Sequence, residues 1–162
     1  MSTVYIVGGV SGSGKTTVGR LLAQELKLPF YDADDFHPKA NVEKMKSGHP
    51  LNDGDRKPWL EVLSKKIGEW SKEQGAVLGC SALKEPYRKQ LSRYGKPQWI
   101  FLYGDFKLIK ERMEGRKNHY FDASLLQSQF DAYEKSDYGW HYDVVDTPQE
   151  IVNHILNDIK SK

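Results

Sequence analysis

The chain has 162 residues, room for one domain of ordinary size (residues 1–162) with a core that needs no disulfide or metal to hold it. Its 24 basic and 22 acidic residues are spread along the chain and leave a net charge of +2, so composition offers no electrostatic footprint for nucleic acid. No apolar run approaches the roughly 20 residues of a membrane span, the lone Cys80 cannot form an internal disulfide, and Met1-Ser2-Thr3 lacks the basic and apolar regions of a secretory signal; together these predict a cytoplasmic protein with no membrane partner.

Val4-Tyr5-Ile6-Val7 reads as a short buried strand. Gly9-Val10-Ser11-Gly12-Ser13-Gly14-Lys15-Thr16 then fills every position of the phosphate-binding pattern G-x-x-x-x-G-K-[S/T], and Val18, Leu21, Leu22 and Leu26 share one face of a following helix. Strand, glycine loop, helix is the order that separates a nucleotide site from a flexible glycine turn. Glycines let consecutive backbone N–H groups face one anion, and the helix N-terminus adds about half a positive charge behind them. The predicted ATP contacts are this octamer and Thr17, with Lys15 on the outer phosphates and Thr16 on Mg²⁺.

Leu28-Pro29-Phe30-Tyr31 predicts a second strand ending in Asp32-Ala33-Asp34-Asp35. Pro38 opens a helix through Val42 and Met45 that stops at Ser47-Gly48-His49-Pro50. Asn52-Asp53-Gly54-Asp55 reads as a turn, with Pro58 in the first turn of a helix carrying Trp59, Leu60, Leu63, Ile67 and Trp70 inward. Ala76 to Cys80 and Trp99 to Tyr103 are continuous apolar runs, the pattern of parallel strands covered on both faces, with a short helix from Glu85 to Arg93 between them. Asp105 is placed to cap a helix through Leu108, Ile109 and Met113, and Asp122 the next one. Tyr142-Asp143-Val144-Val145 predicts a last strand, and Thr147-Pro148-Gln149-Glu150 a capping box that opens a final helix. Strands alternating with helices imply an α/β sandwich with a mostly parallel sheet, binding ligands at the carboxyl ends of its strands.

That edge gathers Asp32, Asp34 and Asp35 beside the phosphates, where they would repel a nucleotide unless Mg²⁺ is present and one of them takes a proton from a hydroxyl substrate. Strand alternation would send Asp32 and Asp34 one way and Asp35 the other, giving Asp32 to the metal and Asp34 to the acceptor; a helix-capping turn before Pro38 is the plainer alternative. Phosphoryl transfer also calls for mobile cations, and Arg112 and Arg116, four apart ahead of Lys117-Asn118-His119, fit a lid over about 114–122, with an ordinary basic helix end as the alternative. Arg56, Lys84 and Arg88 are candidate cations for an acidic acceptor. Cys80, Trp59, Trp70 and Trp99 read as core, although Trp59 beside Arg56 could wall the acceptor pocket, and His154 reads as a surface residue.

These residues resemble the gluconate kinases of the thermoresistant gluconokinase type, relatives of shikimate kinase in the nucleoside-monophosphate-kinase-like P-loop group. The matching segments include the phosphate loop, Asp32-Ala33-Asp34-Asp35-Phe36-His37-Pro38, Asn41-Val42-Glu43-Lys44-Met45, Asp55-Arg56-Lys57-Pro58-Trp59-Leu60, Cys80-Ser81-Ala82-Leu83-Lys84, Tyr87-Arg88 and Leu125-Leu126-Gln127-Ser128-Gln129-Phe130. The resemblance implies a three-layer P-loop sandwich with a five-stranded parallel sheet, Mg²⁺-dependent phosphorylation of D-gluconate by ATP to 6-phosphogluconate, and a homodimer. It implies Asp34 as the base at the 6-hydroxyl, His37, Arg56, Lys84, Arg88 and His119 as acceptor contacts, Lys15 and Arg116 as catalytic cations, and Arg112 as a nucleotide contact. The segment after Phe130 departs from the family's usual Leu-Glu-x-Pro ending. A kinase for another polyhydroxy acid, or a non-catalytic nucleotide switch, are the alternatives.

Overall fold

The computed structural model describes residues 2–115 and 123–161. Its strands are β1 (Val4–Gly8), β2 (Phe30–Asp32), β3 (Ala76–Gly79), β4 (Gln98–Tyr103) and β5 (Trp140–Asp143), all parallel in the order β2-β3-β1-β4-β5. The helices are α1 (Lys15–Leu26), α2 (Lys39–Lys46), α3 (Asp53–Lys72), α4 (Glu85–Leu91), α5 (Phe106–Glu114), α6 (Ala123–Ala132) and α7 (Pro148–Lys160).

Successive strand side chains point to opposite faces, so each apolar run feeds two cores. Ile6, Leu78, Trp99 and Phe101 pack with Leu60, Leu63 and Ile67 of α3 and Leu91 of α4. Val7, Val77, Ile100 and Leu102 pack on the other face with Leu22 of α1, Ile109 of α5, Leu126 of α6 and Ile155 of α7. Helices on both faces of one parallel sheet make the three-layer α/β sandwich that the apolar runs predicted.

Four local expectations are corrected. Helix α3 begins at Asp53, five residues before Pro58, because Asn52 and Asp55 form a reciprocal capping box; Asp53-Gly54-Asp55 are its first turn and Pro58 lies inside it. Strand β2 stops at Asp32 and Ala33–Phe36 form a 3-10 turn, so strand alternation does not aim Asp34. Strand β5 runs Trp140–Asp143, two residues earlier than expected, and the Asp143 carboxylate accepts the Val145 N–H in a turn that leaves Val145 65% exposed. Asp105 does precede α5, but its side chain makes no capping hydrogen bond. The Thr147–Glu150 capping box of α7 is formed as expected, and the expected Asp122 cap lies outside the described residues.

Candidate active site

Register sets the site. Val7 pairs with Gly79 and Gly79 with Asp32, so the carboxyl ends of β1, β3 and β2 stand in one row. With β3 between them, the ends of β1 and β2 are about 10 Å apart, twice the spacing of neighbouring strands. Donor and acceptor machinery can face each other across that gap.

On the donor side the Gly9 N–H donates to the Ser81 carbonyl (3.3 Å), tying the loop to β3's extension. Gly12 has φ +78°, and a Cβ there would lie 2.6 Å from Met113 Cγ, so only glycine fits both the turn and the seat against α5. The chain enters α1 at Lys15 with Gly14 at the N-cap. Val10 and Ser13 are buried, whereas Thr16 and Thr17 are exposed in the helix's first turn. Lys15 Nζ donates to the Val10 carbonyl at 3.0 Å, and the Ser13 hydroxyl is buried without a hydrogen-bond partner among the described residues. A bent backbone, a lysine hooked over it and an orphaned hydroxyl fit a polyphosphate.

The Asp32 carboxylate accepts the Asp34 N–H at 2.9 Å and so caps the 3-10 turn. Asp34, whose side chain is 83% exposed, faces a cleft of about 140 Å³ that Lys15, Asp32, Ser81 and Gln129 also line. The protein mass around Asp34 and then the Asp32 charge raise its pKa, while His37 and Lys15 pull it down. Cys80 borders the same cleft, but burial pushes its thiol up to about 12, which suits a packing residue and not a nucleophile.

The acceptor side is built by α3 and α4. Arg56 sits 3.5 Å from Asp53 and 3.5 Å from the Tyr87 hydroxyl, and that hydroxyl donates to Asp53. Asp53 is held below the usual carboxylate range by the Tyr87 bond first, then by the charges of Lys84 and Arg56. Arg56 and Lys84 are therefore gathered here. Arg88 is not: it is 1% exposed, its guanidinium donates to the Ala82 and Leu83 carbonyls and pairs with Glu85, and it lies over Phe101. It holds the Ser81–Lys84 loop from beneath. His37 is also withdrawn from the cleft, its ring stacked on Trp59 with Nε2 turned toward Asp34. The segment that departs from the family pattern has a task here, since the Glu134 N–H donates to the Leu83 carbonyl and Glu134 and Tyr138 bond to the Glu85 backbone and side chain.

Gln129 of α6 carries no role in the sequence reading, yet it accepts the Ser11 N–H at 2.7 Å and donates to the Ser11 hydroxyl at 2.9 Å. Its sequence signal is its place in the matching segment Leu125-Leu126-Gln127-Ser128-Gln129-Phe130, where nothing sets it apart from the neighbouring Gln127 and Ser128. Arg112 is exposed in the last turn of α5, beside the Met113 that meets the loop. Arg116, His119 and most of the expected lid lie outside the described residues.

A family model described as shikimate kinase matches residues 11–160. A probable gluconokinase of Dictyostelium discoideum is 43% identical, the alignment covering 97% of this chain and 86% of that protein. The thermoresistant gluconokinase of Escherichia coli is 43% identical over 82% of this chain and 77% of its own length. The crystal structure of a gluconokinase from Sinorhizobium meliloti superposes with a TM-score of 0.85 at 37% identity, covering 96% of this chain and 90% of that one. Likeness of this length and degree, in sequence and in backbone, means that the chain belongs to the gluconokinases within the shikimate kinase group.

Proposed function

We propose that this protein transfers the γ-phosphoryl group of ATP to the 6-hydroxyl of D-gluconate, giving 6-phospho-D-gluconate and ADP. The observation that carries the reading is Asp34 and Lys15 lining one cleft at the end of the sheet, in a chain of this family. Asp34 takes the hydroxyl proton as the oxygen attacks phosphorus and the bond to the β-phosphate oxygen breaks. Lys15 and the loop N–H groups hold the charge that spreads over the migrating group, and Arg116, outside the described residues, is the further cation assigned to it. Arg112 contacts the nucleotide. Arg56 and Lys84 hold the acid, with His119 a further contact; a guanidinium matches a carboxylate with paired hydrogen bonds. Thr16 and Asp32 would hold Mg²⁺, being the oxygen donors that ion takes, and the ion would screen the phosphates from the carboxylates.

A coupled ADP-release assay across gluconate, shikimate, glycerate and nucleoside monophosphates tests the substrate. Preference for gluconate is expected; equal or better turnover of another acceptor removes the claim. Shikimate is the informative control, because the matching family model carries its name and pockets separate near-isosteres by only about 1–3 kcal/mol per missing group. No described helix is long and apolar enough to cross a membrane. A buried free thiol fits the cytoplasm, and a homodimer, expected from the family, is checked by light scattering.

A further inference from the structure

Both nitrogens of the His37 ring meet a defined neighbour, and together the neighbours fix where its proton sits. The ring lies flat on Trp59, centroids 4.4 Å apart at 14°, and its side chain is 5% exposed. Trp59 is itself pinned, its indole N–H donating to the Ala33 carbonyl at 2.7 Å. Nδ1 of His37 faces Asn41 Nδ2, in the first turn of α2, at 3.3 Å, and Nε2 faces Asp34 Oδ1 at 3.7 Å.

A histidine tautomer is ordinarily ambiguous, as is the orientation of an asparagine amide. Here Asn41 resolves both. Its Nδ2 is 2.8 Å from the Asp55 carbonyl, which can only accept, so the NH₂ end of the amide must be on that side. Asn41 is buried, and the same nitrogen, which carries a second hydrogen, lies 3.3 Å from His37 Nδ1. An amide nitrogen does not accept hydrogen bonds, so Nδ1 must be the bare nitrogen and Nε2 the protonated one. An imidazolium would set N–H against N–H at Asn41. The charged groups around the ring are Asp34, which favours the cation, and Arg56, which opposes it; burial opposes it more strongly, and the net direction is toward the neutral ring.

We propose that His37 is a positioning residue: a neutral imidazole, locked by Asn41 as the Nε2–H tautomer, whose N–H orients Asp34 so that the carboxylate presents its other oxygen to the acceptor hydroxyl. This replaces the expectation that His37 binds gluconate directly. The 3.7 Å separation is long for a hydrogen bond, and catalytic contacts of this kind tighten once the substrates are in place. The proposal rests on Asp34 being the base of the reaction proposed above.

The test uses the full chain labelled with ¹⁵N-histidine. Long-range ¹H–¹⁵N spectra at neutral pH should show His37, assigned by its absence in His37→Gln, as a neutral ring protonated at Nε2; Asp34→Asn should move the Nε2 resonance, and Asn41→Ala should turn the ring into a tautomer mixture. In kinetics, His37→Gln keeps an amide donor and should stay within about 10-fold of the parent, whereas His37→Phe should lose about 10²-fold in kcat at little change in the KM for gluconate, the scale of a misplaced group. A ring protonated at Nδ1, a charged ring, or a raised KM at unchanged kcat overturns the proposal. If no acceptor is turned over, the proposed function falls, while the spectra still decide the tautomer.

Discussion

A carboxylate can collect a proton from a sugar hydroxyl only where its charge is tolerable next to a polyphosphate and its pKa is not pinned low. Asp34 meets both conditions, with Lys15 across the cleft and Asp32 at its back. Replacing it by Asn keeps the shape and removes the basic oxygen, so nucleotide binding should survive while turnover falls by roughly 10²–10⁴. Fluorescence titration and steady-state rates on the same preparation separate the two effects, and unchanged turnover would remove Asp34 from its role. That Asp34 would share a cleft with Lys15 was legible in the sequence from its place after a strand beside a phosphate loop. What aims it was not, because strand alternation was applied to residues that the Asp32 cap draws into a 3-10 turn. The burial of Arg88 on Phe101 was not legible for a related reason, since a motif shows a cation without showing what packs against it.

At the scale of elements, helix caps decide where α3 begins and so where Arg56 points. Asn52→Ala removes the side chain that receives the Asp55 N–H and should cost about 0.5–2 kcal/mol in thermal or denaturant unfolding. The Asp55 carboxyl is held below its ordinary 3.8, first by its hydrogen bond from Lys44 and then by the Asn52 N–H. A depressed folded-state pKa gives stability that is complete above 3.8 and is lost as pH falls through the lower folded value. Asp55→Asn should therefore flatten the acid side of a melting-temperature profile and leave its slope near neutrality unchanged. Helix α6 makes a different contribution, since Gln129 occupies the Ser11 N–H, one of the loop donors proposed to face the phosphates. Gln129→Ala should tighten binding of a nonhydrolysable nucleotide by about 2- to 10-fold, the worth of one ordinary hydrogen bond released from competition. Weaker binding would mean instead that Gln129 touches the nucleotide itself. Caps built from Thr147 and Glu150 could be read in advance because the pattern is local; the Gln129 contact could not, since Ser11 lies 118 residues away.

For the molecule as a whole, Cys80 offers a gauge of cooperativity. It lies at the end of β3, buried where the sheet meets α3, and its thiol is pushed up to about 12. Alkylation at pH 8 should be negligible in the native protein and become complete on unfolding, as mass spectrometry across a urea series would read. Saturating nucleotide should slow it in proportion to 1 + [L]/Kd, because ligand binding draws population from the open state. Fast labelling of the native protein would show that the cleft opens locally around β3. The layered architecture was legible because uninterrupted apolar runs require cover on both faces, and β1, β3 and β4 fall where those runs are. The ends of β2 and β5 were less so, being short strands at the sheet's edges whose limits are set by turns that side-chain carboxylates close.

The order β2-β3-β1-β4-β5 has a consequence for how such a chain can change its acceptor. Everything proposed for the donor phosphates on the described residues comes from the β1–α1 loop, the first turn of α1 and the end of α5, while Asp34, Arg56 and Lys84 come from one continuous stretch between β2 and α4. The two meet across the width of a single strand, β3, which acts as a spacer of fixed gauge. Among the described residues, the proposed acceptor contacts thereby lie on one contiguous cassette of sequence, exchangeable between relatives provided that the cassette brings its own β3, keeps the register of Asp32 with Gly79 and Gly79 with Val7, and returns the Ser81 carbonyl to the Gly9 N–H.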